Sequence, residues 1–258
     1  ISGTEKIIMS ARTLPPQEKG KLASRQGRSY EECYRILLNS DRVVLTHNSD
    51  FGNNSYVKWL GISKDKSVTV HNGMDIQKWK DGASSNRIKE NLGIGEGDRI
   101  IGTVGRLTTD KRPWLFLKVA ELLLNGSDLP ESNDLKRWYE INEGAPVDSG
   151  VVGNFDSIRD DLHFVIVGDG PQLEMARQIV ENSSVLSERV HLVGFSKDIG
   201  SFLTEFDCFL LTSRVEGLPN AIIEAQAFGV PVVSTDAGGA SECFIDGETG
   251  LLASNDSP

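Results

Sequence analysis

This 258-residue chain has few of the residues that most often carry metal, redox or hydrolytic chemistry. It has three cysteines, Cys33, Cys208 and Cys243, an odd number with no CxxC spacing. That pattern excludes a disulfide framework and a zinc ribbon, and favours buried thiols in a reducing compartment. It has four histidines, His47, His71, His163 and His191, each in or beside an apolar segment and none at metal-ligand spacing. They are read as structural or incidental, and no metal is expected. A serine elbow and a Cys–His pair are also missing, which removes the usual hydrolase signatures. No run reaches the roughly 18 to 20 apolar residues of a membrane span, and no signal-peptide pattern opens the chain, so a cytoplasmic place is expected. The first residue is Ile1 rather than Met, as expected of a fragment or a processed chain.

Positive charge is also scarce. The formal net charge is -10, which argues against nucleic acid as a partner, because the phosphate backbone is gripped by clustered Lys and Arg. The deficit is uneven, with 11 Lys and Arg against 8 Asp and Glu in residues 1–75 and 16 against 29 in the remainder. The mildly basic first part suits anionic lipid or a phosphorylated acceptor.

Short apolar runs alternate with amphipathic stretches, the pattern of an α/β protein whose parallel sheets are covered on both faces. KIIMSA, DRVVLTHN and KSVTVHN read as the first strands, with helices over Arg28–Leu38 and Asn54–Leu60. After HNGMD comes the polar stretch KWKDGASSN, and a domain boundary is placed there: residues 1–84 form one domain with its linker, and 85–258 form another. The second series contains about six strands, enough for one Rossmann-like sheet: RIIGTVGR, HFVIVGDG, RVHLVGF, CFLLTS, VPVVST and GLLA. Residues 126–161, with nine acidic and three basic side chains, interrupt it. They are expected to form an acidic surface insertion with freedom to move, in which only LKRWYEI looks helical.

In doubly wound folds, ligands bind at the carboxyl ends of strands. After the first strand of the second series comes GRLTTDKRP, where Gly105, Arg106 and Lys111 precede a helix opened by Pro113. A guanidinium fork and an ammonium at a helix N-terminus suit a diphosphate, and equally make a solvated basic turn. GDGP follows the next strand, with Gly168 and Gly170 allowing close backbone approach. Leu173 stands where the third glycine of a dinucleotide fingerprint would fall, which disfavours a nicotinamide enzyme. Gly194 and Phe195 end the third strand, where Phe195 either lines a pocket for a flat base or belongs to the core. In EGLPNAIIE, Glu216 lies in a turn and Glu224 about one helical turn beyond Pro219. The amides of Gly217, Leu218, Asn220 and Ala221 offer donors to phosphate or sugar oxygens. The alternative is that both carboxylates merely complement a helix dipole.

In their order and spacing, NGMD, GRLTTDK, VGDGP, VGF, SRVEGLPNAIIEAQAFGVPVVSTDAGGASE and DGETG resemble the retaining nucleotide-sugar glycosyltransferases of the GT-B fold, specifically glycosyltransferase family 4. The resemblance covers about residues 40–258 and is most specific from Ser213 to Gly250. It implies a near-complete C-terminal Rossmann-like donor domain and the last part of an N-terminal Rossmann-like acceptor domain, facing each other across a cleft. It also implies that Arg106 and Lys111 hold the donor diphosphate without a metal, that Glu224 holds ribose hydroxyls, and that Glu216 lies near the donor sugar with the Gly217, Leu218, Pro219 and Asn220 segment. The implied reaction moves a hexose or N-acetylhexosamine from a nucleotide-diphosphate sugar to a glycan or lipid-linked acceptor with retention. No cofactor is needed beyond the nucleotide sugar as donor substrate.

Two departures qualify the resemblance. Only about the last third of the usual N-terminal domain is present, and peripheral membrane contact is expected of the absent part. Where many relatives carry a histidine after the first strand, SARTLPP offers Arg12, which either contacts an anionic group of donor or acceptor or is an ordinary surface residue. Two other functions share the architecture: an inactive nucleotide-sugar-binding or assembly subunit, and a sugar-nucleotide epimerase.

Overall fold

The computed structural model describes residues 5–16, 25–82, 88–125, 133–143 and 159–253. The chain forms two compact units. The first comprises residues 1–74, 215–220 and 236–245, and the second comprises 75–214, 221–235 and 246–258.

The first unit holds strands β1 (Ile7–Ala11), β2 (Val43–His47) and β3 (Ser67–Thr69) and helices α1 (Arg25–Leu38) and α2 (Asp50–Leu60). The strands form a parallel sheet in the order β1-β2-β3. Helix α2 starts four residues before the expected Asn54, because the Ser49 hydroxyl accepts from the Gly52 amide at 3.0 Å and supplies the N-cap. Leu45 and Leu60 are fully buried, and Tyr56 packs edge-on against Trp59 at 5.5 Å in the same cluster.

The second unit opens with helices α3 (Ile76–Gly82) and α4 (Ile88–Leu92). Five residues of the stretch KWKDGASSN, 78–82, are thus helical, and α3 groups with the second unit. The unit continues through β4 (Arg99–Val104), α5 (Pro113–Asn125), α6 (Asn133–Glu143), β5 (Leu162–Val167), α7 (Leu173–Glu181), α8 (Ser184–Arg189), β6 (Val190–Gly194), α9 (Ile199–Leu203) and β7 (Cys208–Leu211). It closes with α10 (Asn220–Ala227), whose first residue groups with the other unit, then β8 (Val232–Thr235) and β9 (Gly250–Ala253). All six strands are parallel, in the order β6-β5-β4-β7-β8-β9.

Strand β5 is buried along its whole length, as a strand covered on both faces must be. Trp114, Phe116 and Leu117 of α5 are fully buried in the core with Phe164, and the Phe116 and Phe164 rings meet edge-on at 6.0 Å. Leu135 of α6 is fully buried in that core too. The helix in the acidic stretch is therefore not a surface appendage, because its apolar side chain completes the packing of α5. Residues 126–132 and 144–158, the rest of the expected insertion, lie outside the described residues.

The expectation of buried thiols fails for Cys33, which is exposed on α1, whereas Cys208 and Cys243 are half-buried. Burial and the nearby Glu242 and Glu216 carboxylates push the Cys243 thiol up to about 12, which disfavours its thiolate at neutral pH.

Candidate functional site

In the second unit the chain moves outward in one direction from β4 through β5 to β6, then restarts beside β4 with β7 and continues to β9. Such a reversal leaves a crevice at the carboxyl ends of the strands flanking it. Beside it, over the carboxyl ends of β4, β5 and β6, is a cavity of about 460 Å³, within the range that holds a small ligand. One wall is Val104, Gly105 and Arg106 after β4, a second is Val167 to Gly170 after β5, and a third is Phe195 and Ser196 after β6, with Ile199 of α9 below.

Each wall has a local cause. Gly168 has φ 152°, and a Cβ there would lie 1.8 Å from the Gly105 carbonyl oxygen, so only glycine lets the two turns meet. The Gly168 amide donates to the Gly194 carbonyl at 2.8 Å, tying the β5 turn to the β6 turn, and the Leu107 amide donates to Asp169 at 2.9 Å. Phe195 is 72% exposed and stands in the cavity wall, which removes the core alternative and presents an aromatic face. Arg106 is exposed, and no carboxylate pairs with it among the described residues.

Lys111 lines a smaller adjoining cavity of about 30 Å³ together with Gly105 and Arg106. It ends a 3-10 turn, Thr109–Lys111, that leads into α5, and its carbonyl accepts the Thr212 hydroxyl at 3.0 Å. The structure thus brings together Gly105, Arg106, Lys111, Gly168 and Phe195. Glu224 lies on α10, half-buried, and lines neither cavity. Burial raises the pKa of its carboxyl, and no described residue bonds to it.

The segment from Glu216 to Asn220 groups with the first unit. There the Glu216 amide donates to Ala237 at 3.0 Å, and Gly217 presses so close to the Arg12 carbonyl that a Cβ would lie 2.5 Å from it. Gly217 and Leu218 are buried, no bond from their amides is seen among the described residues, and Pro219 directly precedes α10. Arg12 donates to Asn72 at 3.1 Å, and Asn72 donates to Asn220 at 2.6 Å. Arg12 is therefore held by a neutral amide, leaving its charge uncompensated by that bond.

Also in this unit, His47 is buried, with one ring nitrogen 3.3 Å from the Thr13 carbonyl and the other accepting the Ser49 amide at 3.2 Å. It supports the turn that carries Arg12, and its burial lowers its pKa. Among the described residues, one trio has ligand atoms close enough for a cation: Asp50, His71 and Glu242. The Glu242 carboxylate already accepts the Asp50 and Phe51 amides at 2.7 and 2.6 Å, which makes it a cap for α2.

Sequence reasoning missed Asp169, Ser196 and Ile199 in the cavity wall, and the buried Arg112. Asp169 and Ser196 directly follow Gly168 and Phe195, and Ile199 opens α9 three residues later. Arg112 was adjacent to Lys111, but its burial depends on tertiary contacts.

Residues 151–258 match the model of a family described as glycosyl transferases group 1. Along 98% of its length the chain is 30% identical to the Vi polysaccharide biosynthesis protein VipC/TviE of Salmonella typhi, over 255 residues. Over 208 residues, 80% of the chain, it is 27% identical to the UDP-Gal:alpha-D-GlcNAc-diphosphoundecaprenol alpha-1,3-galactosyltransferase of Escherichia coli. The chain spans 38% and 45% of the lengths of these two relatives. Among solved structures, Anabaena Alr3699/HepE in complex with UDP and glucose superposes with a TM-score of 0.69 at 19% identity, covering 98% of this chain and 58% of that one. WaaG, a glycosyltransferase involved in lipopolysaccharide biosynthesis, gives 0.68 at 17% identity, covering 99% and 64%. The fold is that of the GT-B glycosyltransferases, with Rossmann-like architecture.

Proposed function

We infer, from a chain whose residues 151–258 match the model of the glycosyl transferases group 1 family, that the whole protein is a glycosyltransferase. It moves a hexose or N-acetylhexosamine from a nucleotide-diphosphate sugar to a glycan or lipid-linked acceptor. The assignment to glycosyltransferase family 4, with retention of configuration and no metal, is part of the same proposal. One observation carries it: a cavity at the carboxyl ends of β4, β5 and β6 that combines an exposed guanidinium, a glycine-built floor and an exposed aromatic face.

These parts match the parts of such a donor. The ring of Phe195 suits stacking on a flat base, the close approach of Gly105 and Gly168 leaves room for a phosphate chain, and Arg106 with Lys111 supplies its counter-charge. In the reaction the bond between the sugar's anomeric carbon and the diphosphate oxygen breaks, and the acceptor oxygen forms a bond to that carbon on the same face. The acceptor's proton passes to the departing diphosphate. Negative charge grows on the leaving group as the bond breaks, so fixed cations lower the barrier. Glu224 binds the ribose hydroxyls, and Glu216 with the amides of Gly217 and Leu218 serves the donor sugar. Arg12 serves an anionic group of donor or acceptor. Membrane contact, where it occurs, belongs to the acceptor-binding part of the whole protein.

The test is to incubate the full-length protein with UDP-, GDP- and ADP-sugars and acceptor lipid or glycan, and to measure nucleoside diphosphate release and the anomeric configuration of the product. Transfer with retention in excess chelator is expected. A folded protein that binds none of these donors overturns the reading. Donor binding without turnover assigns a binding subunit, and free epimerised sugar assigns an epimerase.

A further inference from the structure

The acidic stretch between α5 and β5 sends one carboxylate back to the cation-bearing turn. Glu143, the last residue of α6, is only 15% exposed. Its Oε1 accepts the Trp114 indole N–H at 3.1 Å, while Oε2 lies 3.6 Å from the Arg112 guanidinium and 3.0 Å from that of Arg214. Arg112 is buried and sits between Lys111 and Pro113 in a left-handed conformation, φ 48°, that side-chain-bearing residues seldom adopt. Its Nε donates to the Thr212 carbonyl at 2.7 Å and its NH2 to that of Ser213 at 3.2 Å. The backbone completes the tie, with the Arg214 amide donating to Asp110 at 2.7 Å. The turn holding Lys111 and the carboxyl end of β7 are thus pinned by one buried guanidinium, whose counter-ion comes from α6.

We propose that Glu143 is a positioning residue for the diphosphate grip: by holding Arg112 and Arg214 it fixes the Lys111 turn, so the helix of the acidic stretch sets how well the site binds a diphosphate. This rests on the donor-site reading above. A buried guanidinium without its carboxylate keeps its charge but loses its orientation, and small displacements of a charge-aligning group are costly.

The experiment compares the wild-type chain with Glu143→Gln, which retains volume and an acceptor for Trp114. Hydrogen exchange at the Lys111, Arg112 and Arg214 amides is measured without ligand. Affinities for UDP, GDP and ADP are measured beside those for uridine, guanosine and adenosine. Expected are faster exchange at those three amides with β5 unchanged, and a loss of about tenfold in diphosphate affinity with nucleoside affinity preserved. Unchanged exchange overturns the clamp, and so does an equal loss of diphosphate and nucleoside affinity. If Glu143→Gln does not fold, Arg214→Gln removes the more exposed partner and is expected to move both readouts in the same direction by less. A wild-type chain that binds no diphosphate overturns the donor-site reading instead, and the exchange result then decides the clamp by itself.

Discussion

At the scale of single residues, the two glutamates of EGLPNAIIE separate by environment. Glu224 is half-buried with its pKa raised by desolvation, and no described group compensates its charge. A carboxyl whose folded pKa exceeds its unfolded one contributes stability below the unfolded pKa, and loses it as pH rises through the folded one. At neutral pH the ionised Glu224 therefore weighs against the empty fold, as expected of a group kept for a ligand's hydroxyls. Glu224→Gln is expected to leave the thermal midpoint of the unliganded chain unchanged or raised at pH 7. It is also expected to weaken nucleotide binding by about 10- to 100-fold, the scale of lost hydrogen bonds to a charged acceptor. Glu216→Gln is expected to lower turnover more than donor affinity. Calorimetry with and without nucleotide checks the first variant, and steady-state kinetics of the full-length protein check the second. If both variants only lost thermal stability, the helix-dipole explanation would stand.

At the scale of elements, the strands were readable because burial leaves apolar runs bounded by glycine turns, and the apolar parts of RIIGTVGR and HFVIVGDG lie in β4 and β5 while their glycine ends form the turns. The helix at Asn133–Glu143 was visible only in part, as LKRWYEI, and its role was not visible at all. Nothing local in an acidic, glycine- and proline-bearing stretch says that Leu135 enters a core or that Glu143 returns to Arg112. The α3 helix was missed because Lys, Asp and Gly in KWKDG resemble loop composition, and tertiary packing overrides that local preference. The glycine turns of the site were legible by type, but their reason was not. Gly168 is required by the neighbouring Gly105 carbonyl, a partner more than 60 positions away. Gly168→Ala must both occupy an unfavourable backbone region and displace that turn. A loss of about 3 kcal/mol is expected by urea unfolding, together with weakened nucleotide binding. Gly247→Ala, in open space, is the contrasting variant, with only the cost of its backbone conformation.

For the molecule as a whole, the six-stranded sheet has two ends with different chemistry. Its carboxyl end carries the cavity, while near the amino ends of β5 and β6 the His163 and His191 rings stack at 5.2 Å, with Nδ1 of one 3.0 Å from Nε2 of the other. Asp98 and Arg189 flank His163. Burial lowers both pKa values, aided by Arg189 for His163 and by His163 for His191, which falls to about 4. For a base held neutral in this way, the unfolded chain takes up the proton first. The pair's contribution is complete above the ordinary histidine range, near 6.5, and is lost as pH falls from there toward about 4. The urea midpoint of the wild-type chain should therefore fall between pH 7 and pH 4.5. His191→Phe, which keeps a stacked ring but removes one titrating site, should fall less steeply. Parallel curves would mean that the histidine pair contributes nothing to acid sensitivity. Because the pair lies at the opposite end of the strands from Arg106 and Phe195, acid should abolish nucleotide binding through unfolding of the sheet. Loss of binding and loss of near-ultraviolet circular dichroism should then follow one pH curve in the wild type and shift together in the variant.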